Sequence, residues 1–143
     1  MPVTNMSHMW RLLDAYTLTP QGTERPVNHL NEWGGFSRRL GMPVFTAWED
    51  LATYDRAAKT TKALVCDTAW PERTVGSNNQ ERWLAFAEEK TNGVAGFFII
   101  HAVDVKAELR KVKYIEEERV FVGKVVRDGG KSFVIGEPRP LTR

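Results

Sequence analysis

The chain has 143 residues, 42% hydrophobic and 27% charged, with a formal net charge of +2. That size is typical of one domain, since two would each lack a sufficient core, so residues 1–143 are read as a single domain. The composition excludes a disordered or low-complexity chain, and the charge is too slight for a dedicated polyanion binder.

Charge is unevenly placed. Residues 1–60 carry six basic and six acidic side chains, residues 61–100 four and five, and residues 101–143 ten and seven. Three net charges over the last segment permit nucleic-acid binding without arguing for it. Cys66 is the only cysteine. No internal disulfide can form, and a reduced, cytoplasmic setting is the simplest expectation. The N-terminus lacks a basic region followed by an apolar one, and Val94–Ile100 is far shorter than the ~20 residues that span a bilayer.

In chain order, Met6, Met9, Leu13 and Tyr16 recur at helical spacing, which predicts a first helix over Ser7–Tyr16, ended before Pro20. Residues 20–33 read as loop or short turns. Trp33-Gly34-Gly35-Phe36 follows, with Arg38 and Arg39 directly after, and Met42–Phe45 reads as extended. Thr46 and Glu49 fit a capping box, which predicts a second helix to about Lys59, burying Trp48, Leu51, Ala52 and Ala58. Lys62–Thr68 reads as a short buried strand. Ser77 and Gln80 form a second capping pattern before a helix over Glu81–Lys90, whose apolar face is Trp83, Leu84, Phe86 and Ala87. Asn92-Gly93 is a C-terminal stop.

The remainder is β-rich. Val94–Val105 contains Phe97-Phe98-Ile99-Ile100 and reads as a strand covered on both faces. Lys111–Ile115 reads as an edge strand with guarding lysines. Arg119–Arg127 and Ser132–Gly136 form a hairpin around Asp128-Gly129-Gly130-Lys131. The expected fold is α+β, a strongly curved or barrel-like mixed or antiparallel sheet with about three helices packed on one side.

Candidate chemistry is sparse. Of the five tryptophans, Trp48 and Trp83 fall on apolar helix faces and read as core. Trp33 and Trp70 adjoin Gly or Pro in predicted loops and are candidate pocket walls. Arg38 and Arg39 could hold a phosphate or carboxylate, although neither nucleotide fingerprint, GxxxxGK[ST] or GxGxxG, occurs and no cofactor is expected. The histidines His8, His29 and His101 have no metal-ligand spacing and no metal is expected. His101 is a candidate general base, with Asp67 or Asp104 as conceivable partners. Glu116-Glu117-Glu118 reads as a solvated corner, and Cys66 as inert.

Gly34-Gly35-Phe36 followed by Gly41 and Pro43 resembles the GGF…G.P stretch of EVE-type, PUA-like domains over about ten residues. The resemblance implies a curved sheet and an aromatic pocket for modified bases or nucleic acid, although a helix over Thr46–Lys59 departs from it. Three readings result. The preferred one is a module binding a nucleobase or small polar-aromatic molecule through Trp33, Trp70, Arg38 and Arg39. The others are a homodimeric interaction protein using the Lys111–Ile115 edge, of the kind found in mobile-element or phage systems, and a hydrolase using His101 or His29 with an acid.

Overall fold

The computed structural model describes residues 3–4, 6–18, 21–26, 34–67, 75–102, 112–116 and 119–140. Its elements are β1 (Val3–Thr4), α1 (Met6–Leu13), β2 (Ala15–Leu18), β3 (Glu24–Pro26), β4 (Gly34–Ser37) and β5 (Met42–Trp48), then a 3-10 turn (Glu49–Leu51), β6 (Ala52–Asp55), β7 (Thr60–Asp67), α2 (Val75–Lys90), β8 (Val94–Ala102), β9 (Val112–Glu116), β10 (Arg119–Asp128) and β11 (Lys131–Pro140). The strands form one sheet with the hydrogen-bonded order β3-β2-β4-β5-β8-β10-β11-β7-β6, while β9 joins β8 and β1 joins β9. Every pairing is antiparallel except β5 with β8.

This corrects the expected α+β fold with three helices on one side. The described residues are mostly strand, with two helices, and the sheet is open rather than barrel-like. Its path ends at β3 and β6. The chain passes from β5 to β6 through the 3-10 turn, yet these two strands share no ladder.

The predicted helix over Thr46–Lys59 is absent because alternation prevails over the capping pattern. Phe45 and Ala47 enter one core and Val44 the other, the period-2 signature of a strand covered on both sides. Thr46 is itself buried within β5 rather than capping a helix. Further on, the Asp55 carboxylate accepts from the amides of Ala57 and Ala58, and Lys59 takes φ 59°, closing the β6–β7 hairpin.

Two cores occupy opposite sheet faces. Met9, Trp10 and Leu13 of α1 pack on Val44, Phe98, Ile100, Val120 and Val122. Trp83, Leu84 and Ala87 of α2 pack on Phe45, Phe97, Ile99, Phe121, Val65 and Val134. Strand β8 therefore lies between two helices, which is why Phe97-Phe98-Ile99-Ile100 is apolar at every position.

Several ends match the sequence. Helix α2 stops at Asn92 (φ 55°) and Gly93 (φ 77°), with the Gly93 amide donating to the Ala87 carbonyl at 2.7 Å. It begins at Val75, so Ser77 is inside the helix rather than capping it. Helix α1 ends at Leu13, and Tyr16 belongs to β2. The β10–β11 turn has positive φ at Gly129 only, as in a type II′ turn. Strand β9 is no free edge, since Ile115 pairs with Ile100 on one side and Thr4 on the other. Among the described residues, no helix is long and apolar enough to cross a membrane.

One cation anchors α2 to the end of β10. Arg127 donates to Glu88 through Nε at 3.0 Å and Nη2 at 2.9 Å, to Ser132 Oγ at 3.0 Å, and lies 3.1 Å from Glu81. The paired guanidinium holds the Glu88 carboxyl below its ordinary value. A group depressed in the folded state contributes stability above its unfolded value and loses it as pH falls through the folded one. Because the side chains are partly exposed, the contribution should be under about 1 kcal/mol. Chemical unfolding at neutral and acid pH should show the Glu88→Gln variant closing its small deficit to wild type on acidification. A constant difference between the two proteins would refute this.

Candidate functional site

Strand β4 and the turn that follows are fastened to the end of α1. The Ser37 hydroxyl donates to the Leu13 carbonyl at 2.6 Å and accepts from the Leu40 amide at 3.0 Å. The Arg38 amide donates to the Asp14 carbonyl at 3.1 Å. Asp14 reaches φ 51°, which lets the chain leave α1 and enter β2 at once. Gly34 lies opposite Phe45 in the ladder, where a Cβ would stand 2.9 Å from the Phe45 ring. The first glycine of the Gly-Gly pair therefore admits an aromatic side chain of the neighbouring strand.

This scaffold places Arg38 over the Tyr16 ring, its Cζ 4.2 Å from the ring centroid. The same guanidinium pairs with Glu24 of β3 and lies 3.7 Å from Asp14. Arg39 points elsewhere and donates to the Leu12 carbonyl at 3.0 Å. The two arginines are thus brought to one turn without converging on one point. The charge of Arg38 is balanced by two carboxylates, which removes the motive for a strong phosphate site there.

Behind Arg38 runs a continuous aromatic cluster. Tyr16 is 5.5 Å from Phe36, and Phe36 is 5.5 Å from Phe86 and 6.0 Å from Trp83. Trp83 lies 5.3 Å from Phe86 and 6.2 Å from Tyr16. Trp83 is buried, whereas Tyr16, Phe36 and Phe86 are half-buried and form the rim. Sequence reasoning missed this cluster. Phe36 stands out beside the glycines, but the sequence pattern places Tyr16 on a helix and Phe86 on a core face.

Other candidates fare differently. Trp33, Trp70, His29 and Asp104 lie outside the described residues, as does the side chain of His8. His101 is half-buried on β8 opposite Tyr114, and Asp67 ends β7 opposite Lys131. Cys66 is buried, and burial pushes its thiol up, with Glu81 and Asp67 adding to the effect and Arg127 opposing it. A thiol so placed is a poor nucleophile, as the sequence implies. Among the described residues no group of three His, Cys, Asp or Glu side chains could hold a metal ion. No family model matches the chain, and neither the curated proteins nor the solved structures contain a match.

Proposed function

We propose that the protein binds a small planar polar molecule, with a nucleobase as the prototype, at the rim formed by Tyr16, Phe36, Phe86 and Arg38. The observation that carries this reading is the guanidinium of Arg38 over Tyr16 at the half-exposed margin of an aromatic cluster. A delocalised cation and an aromatic ring in register offer a flat, polarisable surface suited to stacking. Glu24 and Asp14, which flank Arg38, favour ligands with amino donors over anionic ones. Trp33, one residue before Gly34, and Trp70 belong to this reading as further walls.

The buried Trp83 indole touches three rings of the cluster, so its emission reports on the rim. Titration with free bases and nucleosides, followed by tryptophan fluorescence, should give a saturable change. Base stacking on an aromatic side chain contributes about 1–3 kcal/mol, so Tyr16→Ala should weaken binding roughly tenfold or more. Trp33→Ala and Trp70→Ala should weaken it further. No saturable response from any base, or equal affinity in wild type and Tyr16→Ala, would eliminate the reading.

A further inference from the structure

The aromatic rim carries an edge-reading group beside its stacking surface. Pro26 of β3 pairs with Tyr16 of β2, and Tyr16 pairs with Phe36 of β4, so the three form one cross-strand row on a single sheet face. Glu24 and Leu18 form the next row on that face. The Arg38 guanidinium, over the Tyr16 ring and paired with Glu24, therefore lies above these rows. One of its flat sides is given to Tyr16. The side chain is 44% exposed, which leaves the other side to solvent.

Asp14 stands at the end of the same guanidinium. Its Oδ1 lies 3.7 Å from Arg38 Nη1, beyond hydrogen-bond reach, and its side chain is 66% exposed. Among the described residues neither oxygen of this carboxylate accepts a hydrogen bond. Glu24 differs, because its Oε1 is taken by Arg38 Nη2. The Asp14 backbone is fixed from both sides. Its amide donates to the Arg11 carbonyl at 3.0 Å, and its carbonyl accepts from the Arg38 amide at 3.1 Å. A firmly mounted carboxylate with two open acceptors thus borders a plane on which a base can stack.

We infer that the base recognised at this rim is guanine, stacked on the outer side of Arg38 with its N1–H and N2–H donating to the Asp14 carboxylate. This rests on the base-binding reading above and adds the edge that is read. An ionised carboxylate can only accept. Guanine presents two adjacent donors on its Watson–Crick edge. Adenine and cytosine each set one amino donor beside a ring-nitrogen acceptor, which a carboxylate repels, and uracil sets one donor between two carbonyls. Bonds to an ionised acceptor are about twice as strong as neutral ones. Stacking on a guanidinium plane with hydrogen bonds to the Watson–Crick edge is a common way for proteins to read an unpaired base.

Fluorescence titration of the wild-type protein with guanosine, inosine, adenosine and uridine tests this assignment. Inosine lacks only the N2 amino group, so guanosine should bind about tenfold more tightly than inosine, and more tightly than the other two. A single-stranded tetranucleotide with one guanine, titrated in parallel, separates guanine in a strand from the free nucleoside, and selective binding of either supports the inference. Asp14→Asn keeps a residue type that tolerates φ 51° and offers one donor and one acceptor in place of two acceptors. It should weaken guanosine about tenfold and tighten adenosine, whose edge it then matches. If that variant fails to fold, the ratio of guanosine to inosine affinity in the wild type still decides. Equal affinity for guanosine and inosine, or a guanosine preference that survives in Asp14→Asn, overturns the inference while base binding at the rim stands. A protein that binds no base overturns both.

Discussion

Alanine at Gly123 should abolish the folded state. Gly123 pairs with Gly136 at the middle of the β10–β11 hairpin. A Cβ on Gly123 would lie 1.6 Å from the Ile135 carbonyl oxygen and 2.6 Å from the Gly136 Cα. These are backbone atoms, so no rotamer change relieves the overlap. The two strands would have to separate where they also carry β8 and β7 on their outer edges. Overpacking of a flexible core costs about 1–3 kcal/mol, and a clash with fixed backbone exceeds it, so a loss of about 4 kcal/mol or more is expected. Against a total stability of about 5–15 kcal/mol, that leaves little folded protein at physiological temperature. Gly136→Ala should be milder, because its nearest contacts, on Val122, begin at 2.9 Å. Gly129→Ala meets open space and suffers only the strain of φ 63°, about 1 kcal/mol. Urea unfolding of the three variants should return that order. A Gly123→Ala protein within about 1 kcal/mol of wild type would show that the strands are not held this closely.

The hairpin itself was legible because its signals are local. Asp128-Gly129-Gly130-Lys131 needs only its own residues to turn, and Asn92-Gly93 needs only positive φ to end α2. The segment after Phe45 departs from its local pattern for the converse reason. Thr46 and Glu49 satisfy a helix-start pattern, yet the side chains from Val44 to Ala47 divide between two cores that no local window contains. The parallel register of β5 with β8 joins Val44 to Gly96, some fifty residues away, and has no turn to announce it. The site was half legible on the same grounds. Two glycines and two arginines marked the place, and Arg38 is indeed there. Its partners Tyr16, Glu24 and Asp14 arrive from β2, β3 and the end of α1, an assembly that only the sheet order creates.

Two tryptophans that look alike in burial should respond unequally to loss of the indole N–H. Trp83 is 1% exposed, and its Nε1 donates to the Thr17 hydroxyl at 3.2 Å, with Thr17 itself fully buried. Trp83→Phe keeps most of the ring packing but removes one hydrogen bond to that buried hydroxyl, at a cost of about 0.5–1.5 kcal/mol on top of the lost ring area. Trp83→Ala also opens a cavity beneath Tyr16, Phe36 and Phe86, and should cost about 3–5 kcal/mol. Trp10 is 4% exposed and meets Phe98 edge-on at 5.1 Å. Among the described residues its Nε1 is the only buried side-chain nitrogen or oxygen with no hydrogen-bond partner. Trp10→Phe removes a donor that already carries its desolvation penalty, which offsets the lost ring area, so the change should stay within about 1 kcal/mol of wild type. Urea denaturation of the two phenylalanine variants decides the matter, since both truncations remove similar volume. Equal losses would mean that packing alone sets the stability of both helices, and that the Thr17 bond contributes nothing to seating α2 behind the aromatic rim.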